Sequence, residues 1–161
     1  LKDMREHIKE SNLIEGVDSR KSDGHSFAAW LWLTQQEELT HEVICGLHGM
    51  IMKGLLNPEL RGVYRQDSRE VGGRMTPHHD YVEGLMQNYL YDMKVSDDPT
   101  SMHVRYEYIH PFVDGNGRTG RMLLWWHQMK LGQEPTLYKA SEREEYYKLF
   151  EGLGNGPSLM P

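Results

Sequence analysis

The chain has 161 residues, a formal charge of −6 and a single cysteine. That length suits one domain, 1–161, with a real hydrophobic core. The acidic balance argues against a nucleic-acid footprint, which needs a basic face. One cysteine excludes an internal disulfide, and no apolar run reaches membrane-spanning length. No signal-peptide pattern is visible in a chain that starts at Leu1, and a cytoplasmic location is the expectation.

Residues 1 to about 14 read as a short helix, with Met4 and Ile8 sharing a face and Gly16 as its stop. Positions 18–24 are polar and read as a loop. The next helix is expected over 25–36, with Ala28, Leu31 and Trp32 on one stripe. Thr40 should cap a helix over 41–54 that places Val43, Ile44, Leu47, Met50 and Ile51 at helical spacing. Cys45 reads there as a buried, inert thiol. His48, on the same apolar side, reads as a hydrogen-bonded core residue. Asn57-Pro58 breaks the helix.

The segment 62–76 alone has strand character, with a Gly72-Gly73 turn and short apolar–polar alternation, and predicts a β-hairpin. Thr76-Pro77 reads as a helix start. His78, His79 and Asp80 follow; neighbours on a helix diverge by about 100°, so surface placement is expected rather than a shared metal site. Val82, Leu85, Met86, Tyr89, Leu90 and Met93 form the clearest amphipathic stripe in the chain. Asp98-Pro99 opens another helix, which carries Met102, Tyr106 and Ile109 to the core and delivers the chain to His110 before Pro111 ends it. From Arg118 to Leu131 the pattern is apolar nearly all round, the mark of a helix at the centre of a bundle. His127 reads as packed or at the rim. Ser141 and Glu144 make a capping box, Tyr146, Tyr147, Phe150 and Leu153 line one side of the last helix, and the tail from Gly154 should fray. The sum is a mainly α fold of six or seven helices with one hairpin.

The chemistry concentrates in His110-Pro111-Phe112-Val113-Asp114-Gly115-Asn116-Gly117-Arg118-Thr119-Gly120-Arg121. A Gly-Asn-Gly turn that feeds a helix leaves backbone N–H groups open at the positive end of the helix dipole, which is an anion cradle. Arg118 and Arg121 are three apart, on one helix face, and can grip neighbouring phosphates. His110 is a general base for near-neutral pH. Asp114 offers the hard oxygen that Mg2+ prefers. Phe112 should point inward and anchor the loop.

This dodecapeptide resembles the signature of the Fic family, HxFx(D/E)GNGRxxR, at every defined position. The resemblance implies a Fic-like helical bundle and the transfer of AMP from Mg2+-bound ATP to a protein hydroxyl on Tyr, Thr or Ser. It implies His110 as base, Asp114 as metal ligand, and Gly115, Asn116, Gly117, Arg118 and Arg121 as phosphate binders. Ser11-Asn12-Leu13-Ile14-Glu15-Gly16 is similar to the family's inhibitory motif (S/T)xxxE(G/N), which implies that Ser11 and Glu15 on an N-terminal helix, 1–16, restrain Arg121. The hairpin 62–76, with Gly72, Gly73, Arg74 and Met75, resembles the family's flap, which holds the target segment by strand pairing. Tyr146 and Tyr147 occupy the region that approaches adenine. Within the family, a kinase branch carries Lys where this chain has Gly117. Phosphocholine transfer, AMP removal helped by Glu15, and a catalytically silent nucleotide-binding regulator remain as alternatives. Auto-modification and homo-oligomers are compatible with the sequence.

Overall fold

The computed structural model describes residues 2–152, so Leu153 and the expected frayed tail lie outside the described residues. The fold is mainly α. In chain order it consists of α1 (Arg5–Ile14), α2 (Arg20–Thr34), α3 (His41–Ile51), a two-stranded hairpin of β1 (Glu70–Val71) and β2 (Arg74–Met75), α4 (Val82–Met93), α5 (Pro99–Ile109), α6 (Asn116–Lys130) and the short α7 (Arg143–Tyr147). Helix α6 runs through the middle and packs against α1, α2, α3 and α5. Its residues Met122 to Gln128 are buried without a break. That follows from its composition, since an all-round apolar helix is stable only when neighbours cover every face. Trp125 meets Trp30 of α2 edge-on, at 6.1 Å between ring centroids. Its indole N–H donates to the Thr136 carbonyl at 2.8 Å, so a large aromatic is buried with its one polar atom satisfied.

Several local signals operate as read. Thr40 accepts from the Val43 N–H and Asp98 from the Ser101 N–H, both as N-caps. All of Val82, Leu85, Met86, Tyr89, Leu90 and Met93 are buried on α4. Met102, Tyr106 and Ile109 are buried on α5. Helix α3 ends at Ile51, three residues short of the expected 54. Cys45 is half-buried rather than buried, and its thiol pKa is raised by burial, which keeps it an inert thiol.

Other readings are corrected. Helix α2 begins at Arg20, inside the stretch 18–24 expected to be a loop. Ser19 caps it by accepting from the Ser22 N–H, and Asn12 of α1 donates to Asp23 in its first turn. A local serine cap, with a hydrogen bond from another element in the first turn, thus makes a helix start of a polar stretch. The buried stripe of α2 is Ser22, Ser26, Ala29, Trp30 and Leu33, whereas Ala28 faces solvent and Leu31 is 39% exposed. The small serines belong to the inner stripe because α1 lies close there, and of the expected stripe Trp32 alone is partly buried and packed against the core.

The strand-like segment 62–76 shrinks to two residues per strand, paired antiparallel as Glu70 with Met75 and Val71 with Arg74. Thr76 does not cap a helix. Its hydroxyl donates to the Arg69 carbonyl and accepts from the Arg69 N–H, closing the hairpin neck. His79–Tyr81 form a 3-10 turn ahead of α4, so the 100° argument does not apply to His78 and His79. Their rings stack at 4.2 Å and sit with Asp80 near the surface, as expected of their placement. The Ser141–Glu144 capping box does not form. Instead Glu10 of α1 accepts from the Ala140 N–H at 2.7 Å and so caps this region from a distance.

Candidate active site

The site begins where α5 stops. His110 is the one non-glycine residue with positive φ (51°) among the described residues, and it ends the helix in the left-handed conformation. That conformation costs an L-residue about 1 kcal/mol, so the surroundings must hold it. They do so by packing and by hydrogen bonds. Phe112, fully buried, stacks on the His48 ring at 3.8 Å with the planes 7° apart. Asn116 folds its side chain back onto the loop, accepting from the Phe112 N–H and donating to the Phe112 carbonyl. His48 takes the Gly62 N–H on Nδ1, so its own proton lies on Nε2, which donates to the Asp114 carbonyl at 2.7 Å. Burial lowers the His48 pKa to about 4, which keeps this neutral tautomer at physiological pH. His48 is therefore the hydrogen-bonded core residue that was expected, and it also supports the loop.

Gly115 is required by space and by conformation. Its φ is 82°, and a Cβ there would stand 2.5 Å from the Met52 sulfur. It starts α6 without a side-chain cap, so the first-turn N–H groups keep their dipole-backed anion-binding capacity. Of the expected phosphate binders, Asn116 can lend only its main-chain N–H, since its side chain is committed to Phe112. Arg118 is buried, and its Nε and Nη1 find no acceptor among the described residues. The nearest carboxylate, Asp114, is 3.7 Å from Nη2. A buried guanidinium with spare donors beside an open helix N-terminus suits a phosphate oxygen. The Asp114 side chain is 63% exposed and receives one hydrogen bond, from the Gly115 N–H. It fits Mg2+, which takes one or two carboxylates and keeps its waters. His78, His79 and Asp80 bring ligand atoms within 4.8 Å of one another. However, His78 Nδ1 already accepts the Asp80 N–H.

Arg121 is 1% exposed and engaged at all three nitrogens. Nε donates to Ser11 Oγ (2.7 Å), Nη2 to the Ser11 carbonyl (3.0 Å) and to Glu15 Oε1 (2.7 Å), and Nη1 to the Tyr146 hydroxyl (3.2 Å). Ser11, in the last turn of α1, and Glu15, just past its end, are four apart, so a single arginine spans both. Gly117 leaves the room, because a Cβ there would fall 2.2 Å from Glu15 Oε1.

Around these groups lies a cleft of about 790 Å³ lined by Glu15, Glu107, His110, Gly117, Arg121 and the hairpin residues Val71 to Arg74, with Tyr146, Tyr147 and Phe150 on the far wall. Both turn glycines have positive φ, 57° at Gly72 and 80° at Gly73, as a two-residue hairpin turn requires. Arg74 turns inward, over the Tyr108 ring and onto the Glu107 carbonyl oxygen. Met75 is 62% exposed and does not line the cleft. Tyr146 is buried, and its hydroxyl is taken by Arg121 and His103, whereas Tyr147 stands at the mouth. Tyr146 thus supports the arginine, and Tyr147 has the free surface.

Burial, then the Arg65, Arg74 and Arg69 charges, lower the His110 pKa to about 4, so its imidazole is neutral at pH 7. Glu107 escaped the sequence reading. Burial raises its pKa to about 8, and its Oε1 has no partner among the described residues. Its place one helical turn before His110 was the available signal. Arg65, buried beneath the hairpin, gave no signal, because nothing in its local pattern distinguishes it from a surface arginine.

Within this mainly α fold, His110, Gly117 in the first turn of α6 and Arg121 line one cleft, whereas Asp114, Gly115, Asn116 and Arg118 do not line it. The chain belongs to the Fic/DOC family, whose model matches residues 38–127. It is 33% identical over 138 residues to the protein adenylyltransferase Fic of Drosophila virilis, covering 80% of this chain and 28% of that protein. It is 31% identical over 164 aligned residues to that of Drosophila mojavensis, covering 96% and 31%. The chain therefore spans about a third or less of the curated relatives it matches. Among solved structures it is similar in fold to Fic-1 (residues 134–508) of C. elegans, with a TM-score of 0.76 at 21% identity over 94% of this chain and 56% of that one. A Fic family protein of Desulfovibrio desulfuricans G20 gives 0.73 at 20% identity, over 96% and 57%.

Proposed function

We propose that this chain, acting as one domain, is a protein adenylyltransferase that moves AMP from ATP to a hydroxyl side chain of a target protein and is held in check by Glu15. The observation that carries the reading is that His110, Gly117 in the uncapped first turn of α6 and Arg121 line one cleft. The adenylyltransferase names of relatives at 31–33% identity support it.

In this reading the first-turn N–H groups of α6 and the unpaired donors of Arg118 receive the phosphates. Asp114 would hold Mg2+, which supplies charge neutralisation for the polyphosphate. His110 accepts the proton of the incoming Tyr, Thr or Ser hydroxyl as that oxygen forms a bond to the α-phosphorus. The bond from the α-phosphorus to the bridging oxygen breaks, and pyrophosphate leaves. Arg118 and Arg121 stabilise the charge that grows on that leaving group, and charge stabilisation is the main catalytic lever in such transfers. The exposed edge of the hairpin receives the target segment by main-chain pairing, which is tolerant of side-chain sequence. The exposed face of Tyr147 serves the adenine side.

The restraint follows from competition. Glu15 occupies the Arg121 donor that a terminal phosphate oxygen would use, and two anions cannot share it. ATP then binds with its phosphates misdirected. Intact-mass spectrometry of wild-type and Glu15→Gly protein after incubation with Mg2+ and ATP tests the reading. A gain of one AMP, mainly in the variant, is the expected result, and His110→Ala should abolish the gain while ATP binding persists. A gain of phosphate instead of AMP, or transfer that survives His110→Ala, would overturn the mechanism.

A further inference from the structure

Beneath the hairpin, Arg65 is 1% exposed, yet it makes no ion pair among the described residues. All its side-chain partners are main-chain carbonyls. Nε donates to the His110 carbonyl (2.6 Å), Nη2 to those of Ile109 (3.2 Å) and Pro77 (2.5 Å), and Nη1 to that of Asp67 (2.6 Å). Its own N–H donates to the Pro111 carbonyl at 2.9 Å. Two of these acceptors, Ile109 and His110, close the C-terminus of α5, where a cation is favoured by the helix dipole. The other two, Asp67 and Pro77, are the legs of the hairpin just below the neck that Arg69 and Thr76 close. One rigid guanidinium therefore joins the backbone of the base to both legs of the hairpin.

We propose that Arg65 is a positioning residue that fixes the hairpin against His110, so that a hydroxyl held on the hairpin edge meets the imidazole in register. The proposal deepens the transfer reading above and rests on it for the roles of His110 and the hairpin. The planar fork is what makes the joint. It reaches four carbonyls in fixed directions, which the point charge of a lysine cannot reproduce. A methionine fills similar volume and leaves all four carbonyls unpaired. Loss of the joint should loosen the hairpin and spoil alignment while leaving the phosphate cradle on α6, which Arg65 does not touch.

The experiment uses Glu15→Gly protein, alone and combined with Arg65→Lys or Arg65→Met. It reads hydrogen exchange by residue, ATP binding by calorimetry, and AMP gain by intact mass with Mg2+ and ATP. In the Arg65→Lys protein the amides of 66–77 should exchange at least about tenfold faster while those of α4 and α6 keep their protection. Transfer should fall by about 10²-fold, the scale of a misplaced reacting group, with the ATP Kd changed less than about threefold. Unchanged exchange in 66–77, or transfer and ATP binding lost in equal proportion, would overturn the proposal. The exchange measurement needs no activity. Should the Glu15→Gly protein gain no AMP, the transfer reading falls, and exchange alone decides whether Arg65 is the joint. Should Arg65→Met fail to fold, the lysine variant carries the test.

Discussion

Replacing Glu15 separates charge from volume at the restraint. The Glu15–Arg121 hydrogen bond is 2.7 Å long, and it joins an arginine side chain 1% exposed to a glutamate side chain 33% exposed. Charge-assisted bonds of this kind are worth about 1.5–3 kcal/mol, and the partial exposure of Glu15 places it at about 1.5–2 kcal/mol after screening. A competitor of that strength, once removed, should raise the initial rate of AMP transfer by roughly 10- to 30-fold, at 1.4 kcal/mol per factor of ten. Glu15→Gly removes both charge and bulk. Glu15→Gln keeps the bulk and removes the charge, so it should recover most of the same gain if competition for Arg121 is electrostatic. Arg121 would still hold Ser11 Oγ, the Ser11 carbonyl and Tyr146, so both variants should fold. The assay is a time course of intact mass in Mg2+ and ATP at fixed protein concentration. Folded variants that gain AMP no faster than wild type would refute the competition argument. A fast Gly variant beside a slow Gln variant would show that volume, not charge, excludes the productive phosphate position.

Asn116→Ala removes both loop hydrogen bonds to Phe112 and should cost about 1–3 kcal/mol in urea unfolding; a neutral result would mean the loop holds itself by packing alone. Phe112→Ala should cost about 3–5 kcal/mol by the same measurement. Acid stability carries a definite sign. His48, His103 and His110 have pKa values lowered to about 4, about 3 and about 4, chiefly by burial. Their contribution is complete above the unfolded value near 6.5 and is lost as pH falls toward the folded values. The cost should be about 2 kcal/mol for each by pH 5, read as a falling Tm from pH 7 to 5. Glu107 has the opposite sign, with its pKa raised to about 8 by burial. Its neutral form is favoured in the fold, so stability is lost as pH rises from about 4.5 through about 8. Glu107→Gln should therefore raise the Tm at pH 8 and leave it nearly unchanged at pH 4.5; equal effects at both values would refute a buried neutral carboxyl.

Much of the fold was written locally. The caps at Thr40 and Asp98, the α4 stripe and the all-apolar α6 each depend on residues a few positions apart, and such signals survive into any compact structure. The dodecapeptide likewise showed the glycine turn and the helix it opens, because both are made within one short stretch, and it singled out His110 and the arginines as candidates. The contacts that needed the tertiary structure join residues far apart in the chain. Asn12 of α1 ties down the first turn of α2 at Asp23, Glu10 caps a region around Ala140 in place of its local capping box, and His48 braces Asp114 from another helix. Glu107 became a candidate only when burial stripped its carboxylate of water, and Arg65 only when the carbonyls of Pro77, Ile109 and His110 converged on it. Residue type and spacing determined which groups could do phosphate chemistry. The packing of α1 against α6 decided that Arg121 faces Glu15, since an arginine buried from water must find its acceptors where the fold puts them.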